Sequence, residues 1–179
     1  MELTQLMLHP IRLRIVNSVF DGRPFTTSQL RDRLPDVPKA TMYRHVGLLV
    51  EHGLIEVERE ERKAGAVERT YRLHRSRTVI DDAAAAAMTK EDHRHGFAAG
   101  IASIVGEFEV YIGQDDTDPT TDMASYRQVS LWLDDTEKEA FYEDLIAAVR
   151  AHLDNGPSPG RKRHLMAMIM FPTKSTHDT

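Results

Sequence analysis

The chain has 179 residues and a mass of 20.3 kDa, room for one medium domain or two small ones sharing a core, and too little for a large multidomain enzyme. Its 41% hydrophobic and 28% charged residues exclude wholesale disorder, collagen-like and membrane classes, and zero cysteines exclude disulfides, thiolate nucleophiles, iron–sulfur clusters and cysteine-type zinc sites. The net charge of −5 is unevenly spread: residues 1–75 hold thirteen Lys and Arg against ten Asp and Glu, and residues 76–179 hold ten against eighteen.

Within the mildly basic head, Pro10 suits the first turn of a helix, and Ile11, Leu13, Ile15, Val16, Val19 and Phe20 cover most of its circumference, so that helix needs burial on several sides. The run 21–24 (Asp-Gly-Arg-Pro) breaks the pattern. Thr26 and Gln29 then have capping-box spacing, with Phe25 and Leu30 placed to staple the helix start. This second helix is short, because 35–38 (Pro-Asp-Val-Pro) interrupts the backbone. Pro38 opens a third helix that runs to Gly53, a residue suited to a left-handed helix terminus. At 100° per residue, Met42, Val46 and Leu49 share one side of that helix, and Ala40, Tyr43, Arg44 and Gly47 share the other. The first is a core stripe. The second offers small residues, an aromatic hydroxyl and a guanidinium to a surface that approaches closely, as a DNA major groove would; a merely solvated face is the plainer alternative. Lys39 and Thr41 near the helix start suit phosphate contacts. His45, between the two faces, is assigned to packing or positioning.

After Gly53 the period changes to two: residues 54–57 and 67–73 alternate as the strands of a hairpin. Its tip, Arg62-Lys63-Ala64-Gly65-Ala66, combines two cations with a flexible turn and reads as a wing reaching backbone phosphates or a minor groove. Glu58, Glu60, Glu61 and Glu68 partly cancel that field, and Arg69 has the option of pairing within the hairpin.

Residues 8–16 (Leu-His-Pro-Ile-Arg-Leu-Arg-Ile-Val), 39–46 (Lys-Ala-Thr-Met-Tyr-Arg-His-Val) and Leu49 with 51–55 (Glu-His-Gly-Leu-Ile) fall in the order and spacing of ArsR-like bacterial transcriptional regulators. Residues 5–75 resemble the winged helix-turn-helix of that family, in its larger branch with an extra C-terminal domain. The resemblance implies a homodimer that binds double-stranded DNA, with the third helix in the major groove and the hairpin on the backbone or minor groove.

In the acidic body, the alanines 83–87 favour a helix over 79–88 that serves as a linker. Thr89 and Asp92 signal the start of a long amphipathic helix whose stripe, Phe97, Ile101, Ile104, Val105, Phe108 and Ile112, ends near Gly113. Gly96, Gly100 and Gly106 permit close approach of another helix, and a dimer seam is the preferred reading over a bound ligand. An acidic loop, 115–122, precedes an alternating segment, 126–133, expected as a half-buried strand. Asp134 and Glu137 cap a helix with Phe141, Leu145, Ala148, Val149 and His152 inside, and the Met-rich run 165–171 is expected as a second strand, which makes a βαβ-like module.

The expected architecture is α+β, with a winged helix-turn-helix over 1–75, a helical linker and dimerisation region over 76–124, and a C-terminal dimerisation or effector module over 125–179. His93 and His95 point to different helical sides, so no metal site is expected, and no nucleophile constellation or phosphate-binding glycine loop marks an enzyme or a cofactor site. Trp132, Tyr111, Phe141, Met166, Met168 and Met170 are the candidates for a small-molecule effector pocket, with plain core as the alternative. No apolar run approaches the ~20 residues that span a bilayer, and residues 1–18 lack the features of a secretory signal, so a cytoplasmic protein with no membrane partner is expected. The expected function is a sequence-specific, dimeric repressor, with DNA-binding residues Lys39, Ala40, Thr41, Tyr43, Arg44, Gly47, Arg62 and Lys63; the alternative is a winged-helix module that binds protein instead.

Overall fold

A computed structural model describes residues 6–63, 66–78 and 82–174. Helix α1, Pro10–Ser18, is capped by His9, whose Nδ1 accepts the Ile11 amide at 3.2 Å, and Pro10 occupies the first turn as its ring geometry favours. Helix α2, Thr27–Arg33, starts in a complete capping box: Gln29 N donates to Thr26 Oγ1 at 3.3 Å and Thr26 N donates to Gln29 Oε1 at 2.9 Å. After a turn through Pro35, Asp36 and Val37, helix α3 runs Lys39–Glu51 and ends at Gly53, whose φ of 71° is the left-handed conformation that favours glycine.

The hairpin strands are β2, Ile55–Lys63, and β3, Ala66–Leu73; a two-residue strand β1, Phe25–Thr26, joins the other edge of β3, which gives an antiparallel sheet of order β1-β3-β2. Phe25 pairs with Tyr71 and Val57 with Tyr71, but Arg59 pairs with Thr70, so Glu58 is an extra residue in a bulge. Arg72 fastens the bulge, donating to Glu58 Oε1 from Nε at 3.0 Å and from Nη2 at 2.5 Å. The core is fully built within this head: Ile15, Val19, Phe25, Leu30, Leu34, Met42, Leu49 and Ile55 are at most 1% exposed. Full burial of such side chains is worth roughly 1.5–3 kcal/mol each.

A 3₁₀ turn, Arg75–Arg77, leads to a short helix α4, Asp82–Ala87, and then to α5, Lys90–Ile112. Val79, Ile80 and Asp81, expected at the start of the linker helix, lie outside the described residues. The long helix has the expected capping box between Thr89 and Asp92, but its glycine side, expected at a dimer seam, meets its own chain at Gly96 and Gly106. Ala99 and Ser103 are buried, whereas Phe97, Ile101, Val105, Phe108 and Ile112 face outward. The glycines explain the choice. A side chain at Gly96 would meet Leu8 Cδ2 at 3.0 Å, and one at Gly106 would meet Arg14 Nη1 at 2.9 Å, so α5 lays its narrow face on α1 of its own chain. At Gly100 the corresponding space is open.

The buried guanidinium of Arg14, on α1, holds this junction. It donates to both carboxylate oxygens of Asp36 at 2.6 and 2.7 Å and to Glu107 Oε1 at 3.0 Å, with 5% of its side chain exposed. Arg163 Nη2 takes the other Glu107 oxygen at 2.9 Å. One cation thus ties α1 to the turn between α2 and α3 and, through Glu107, to α5 and the distant 163 region.

The C-terminal expectation needs correction. Helix α6, Asp135–Leu153, forms with its capping box, but none of its residues is buried; Phe141, Leu145 and Val149 are half-buried and Ala148 and His152 exposed. Segments 126–133 and 165–171 are exposed and form no strand, and among the described residues no βαβ crossover exists. Alternation specifies a two-faced segment, but a strand also requires an edge to pair with, and both edges of the three-stranded sheet lie in the head.

Removing Arg14 would leave Asp36, whose side chain is 45% exposed, to water and Glu107 to Arg163, so the loss falls below the ~3–5 kcal/mol of breaking a fully buried pair. Arg14→Leu is therefore expected to lower the unfolding free energy by roughly 1–3 kcal/mol, read from urea denaturation of the full chain.

Candidate nucleic-acid interface

Helix α3 is about 20 Å long at 1.5 Å per residue. Its Met42, Val46 and Leu49 are in the core, and its Lys39, Ala40, Tyr43, Arg44 and Gly47 are exposed, with Thr41 half-buried at the boundary. The division expected from the helical wheel is the one observed. At Gly47 nothing lies within 4 Å of where a Cβ would sit, so the missing side chain serves no packing inside the chain and leaves the backbone open to an approaching surface.

Two neighbours shape the N-terminal half of this face. The Thr27 hydroxyl donates to Tyr43 Oη at 3.1 Å, and Lys39 Nζ stands 5.9 Å from the centre of the Tyr43 ring. A groove beside them is lined by Thr27, Ser28 and Arg31 from α2, Lys39 and Tyr43 from α3, and Val67, Glu68, Arg69 and Tyr71 from the hairpin. Hydroxyls and cations outnumber the one carboxylate there, and that donor set suits a polyanionic backbone. Thr27, Ser28 and Arg31 were missed in the sequence, where α2 was read only for its caps; Arg31, one turn beyond Thr27, was the available signal.

The wing is less cationic than its sequence suggests. Arg69 Nε donates to Glu60 Oε1 at 2.7 Å, the pairing within the hairpin that was one of its two options, and Arg59 pairs with Glu61 at 3.1 Å. Arg62 is exposed beside Val67 in the register. Lys63 pairs with Ala66 through the backbone, its side chain lies outside the described residues, and so do Ala64 and Gly65.

Beneath the exposed face, His45 is 5% exposed, its ring 4.4 Å from that of His9, and its Nδ1 has no hydrogen-bond partner among the described residues. Burial, reinforced by the charges of His9, Arg12 and Arg44, pushes the His45 pKa down to about 4. His9 is lowered too, by burial first and then by Arg12 and Arg44. His45 is thus the neutral support of α3, as its packing assignment requires. His93 and His95 are both exposed, and among the described residues no group of three or more metal-ligating side chains occurs. The expected effector pocket is not assembled within the chain: Trp132, Met166, Met168 and Met170 are all exposed. No described helix is long and apolar enough to cross a membrane.

Both lowered histidines bind protons less readily in the folded chain than in the unfolded one. The unfolded state therefore takes up more protons between pH 6.5 and about 4, and stability falls as the pH drops through that window. His45→Leu is expected to flatten this loss, visible as urea midpoints at pH 7 and pH 5 that lie closer together than in the parent chain.

Residues 7–58, from the end of the chain's first described turn into β2, match a family model described as a helix-turn-helix domain. No curated protein matches the chain. The match covers the three helices that carry the exposed face of α3, and with their geometry it identifies this region as a helix-turn-helix domain and supports a DNA-binding regulator rather than an enzyme.

Proposed function

We propose that the chain is a sequence-specific, homodimeric transcription regulator of the cytoplasm, acting as a repressor, whose helix α3 enters the major groove of double-stranded DNA. The observation that carries this reading is the outward face of α3: an exposed arginine and tyrosine flanked by Ala40 and by Gly47, whose missing side chain leaves open space. Arg44 reads guanine acceptors, Tyr43 contacts phosphate or an apolar base edge, and Lys39, Thr41 and Arg31 hold the backbone. Arg62 and Lys63 add attraction from the wing. The resemblance to ArsR-like regulators supports the repressor role and a small-molecule effector acting through the C-terminal region.

The overall charge of −5 is compatible with this reading because Arg59, Arg69 and Arg72 are paired with hairpin glutamates, while Lys39 and Arg44 are exposed on α3.

Genomic footprinting with the purified chain is the direct test and is expected to reveal two-fold related sites. On such a site, Arg44→Ala is expected to cost about 1–3 kcal/mol, roughly tenfold to a hundredfold in affinity. Arg31→Ala should instead weaken all duplexes alike and flatten the logarithmic salt slope by about one. Gly47→Leu should leave the fold intact or slightly firmer, by up to ~1 kcal/mol, while abolishing the specific complex by steric contact. Duplex affinity unchanged in all three variants would favour the protein-binding alternative.

A further inference from the structure

Two adjacent threonines at the start of α2 spend their hydroxyls differently. Thr26 caps its own helix by accepting the Gln29 amide. Thr27 turns its hydroxyl to the neighbouring helix and donates to Tyr43 Oη at 3.1 Å. Lys39 Nζ stands over the Tyr43 ring, 5.9 Å from its centre, so this phenol is held at its hydroxyl and on one face. The second phenol of the groove, Tyr71, is 6% exposed and hydrogen-bonded to Arg69, whereas Tyr43 is 48% exposed and presents its hydroxyl to solvent.

Fastening α2 to α3 does not require the bond between Thr27 and Tyr43. Leu30, Leu34 and Met42 are fully buried in the core that the two helices share, and one neutral hydrogen bond in contact with water adds little to that. What the bond changes is the phenol. A hydroxyl that accepts from Thr27 keeps its own proton to give, and donors linked in a chain polarise one another, so Tyr43 becomes a better donor to an anionic oxygen. Thr27 is β-branched and stiff at χ1, which fixes the direction from which Tyr43 is approached. An apolar base edge has no use for such a donor; a phosphate oxygen does. Arg31, Lys39 and Arg69 outnumber Glu68 in the same groove, so the surrounding charge also favours phosphate. Arg44, the next residue of α3, points about 100° further round the helix and is left for the bases.

We propose that Thr27 is a positioning residue for Tyr43, and that the two hydroxyls grip one backbone phosphate in a relay from Thr27 through Tyr43 to the phosphate oxygen. This rests on the regulator reading and deepens it, by making Tyr43 a backbone grip and leaving sequence discrimination to Arg44.

Affinities of the full chain for its footprinted site are the test. Tyr43→Phe should weaken binding about tenfold and Thr27→Val, which keeps the shape and removes the hydroxyl, about threefold. Thr27→Ser should restore the parent affinity. Thr27→Val combined with Tyr43→Phe should bind no more weakly than Tyr43→Phe alone, since Thr27 acts through the phenol. Each variant should keep the parent's ratio between the site and its single-base variants, its salt slope, because no charge is lost, and its urea midpoint, which a merely fastening bond would lower. Replacing single phosphates by uncharged methylphosphonates should reveal one position where the loss is smaller for Tyr43→Phe than for the parent. Additive losses in the double variant, a lowered urea midpoint that accounts for the Thr27→Val loss, or an altered base preference in Tyr43→Phe would overturn the relay while leaving the regulator reading standing. A parent chain that binds no duplex would overturn both, so the two failures are distinguishable.

Discussion

The buried Arg14 guanidinium is the constraint around which the chain is arranged. A charge taken out of water must find partners, and Arg14 finds two carboxylates: Asp36 in the turn before α3 and Glu107 on α5, which also binds Arg163. The arrangement also dictates a glycine, since a Cβ at position 106 would lie 2.9–3.3 Å from three Arg14 atoms. The turn that orients α3 and the helix that carries the C-terminal region are therefore fixed by the same side chain. Asp36, whose carboxyl is held below its ordinary range by the Arg14 hydrogen bonds, keeps its charge into mild acid and keeps the junction closed.

A second constraint sets the electrostatic character of the head. Three hairpin arginines are paired with hairpin glutamates, which leaves the sheet stiffened and nearly neutral, while Lys39 and Arg44 stand exposed on α3 and Arg31 on α2. The field that an anionic partner would meet is thus concentrated on two helices. Beneath it, neutral His45 and the apolar residues of α3 make a rigid seat, so the exposed side chains project from an element with little freedom to move.

Many helix ends were legible because their signals are local. Capping boxes at Thr26, Thr89 and Asp134, the prolines around α2 and the left-handed Gly53 mark helix ends within a few residues of chain, and all appear in the structure. The two faces of α3 follow from helical geometry alone. Arg14 was illegible as a core residue, since its partners stand 22 and 93 residues away. The ridge of α5 was legible as a stripe, but periodicity does not say which face the rest of the chain covers; the small residues opposite decided that. Segments 126–133 and 165–171 carry a strand pattern that no edge in the chain satisfies, so there the pattern misled.

The 93 residues between Arg14 and Glu107, and the 146 between Asn17 and Arg163, whose guanidinium reaches the Asn17 carbonyl at 3.4 Å, have a consequence for biosynthesis. The helix-turn-helix leaves the ribosome well before the segment that closes over it. During that interval the nascent head must hold Arg14 with Asp36 alone, with the α1 surface that α5 will occupy still bare to solvent. Maturation is therefore ordered by translation: the helix-turn-helix is shaped early, and its attachment to the remainder of the molecule waits for α5 and then for Arg163.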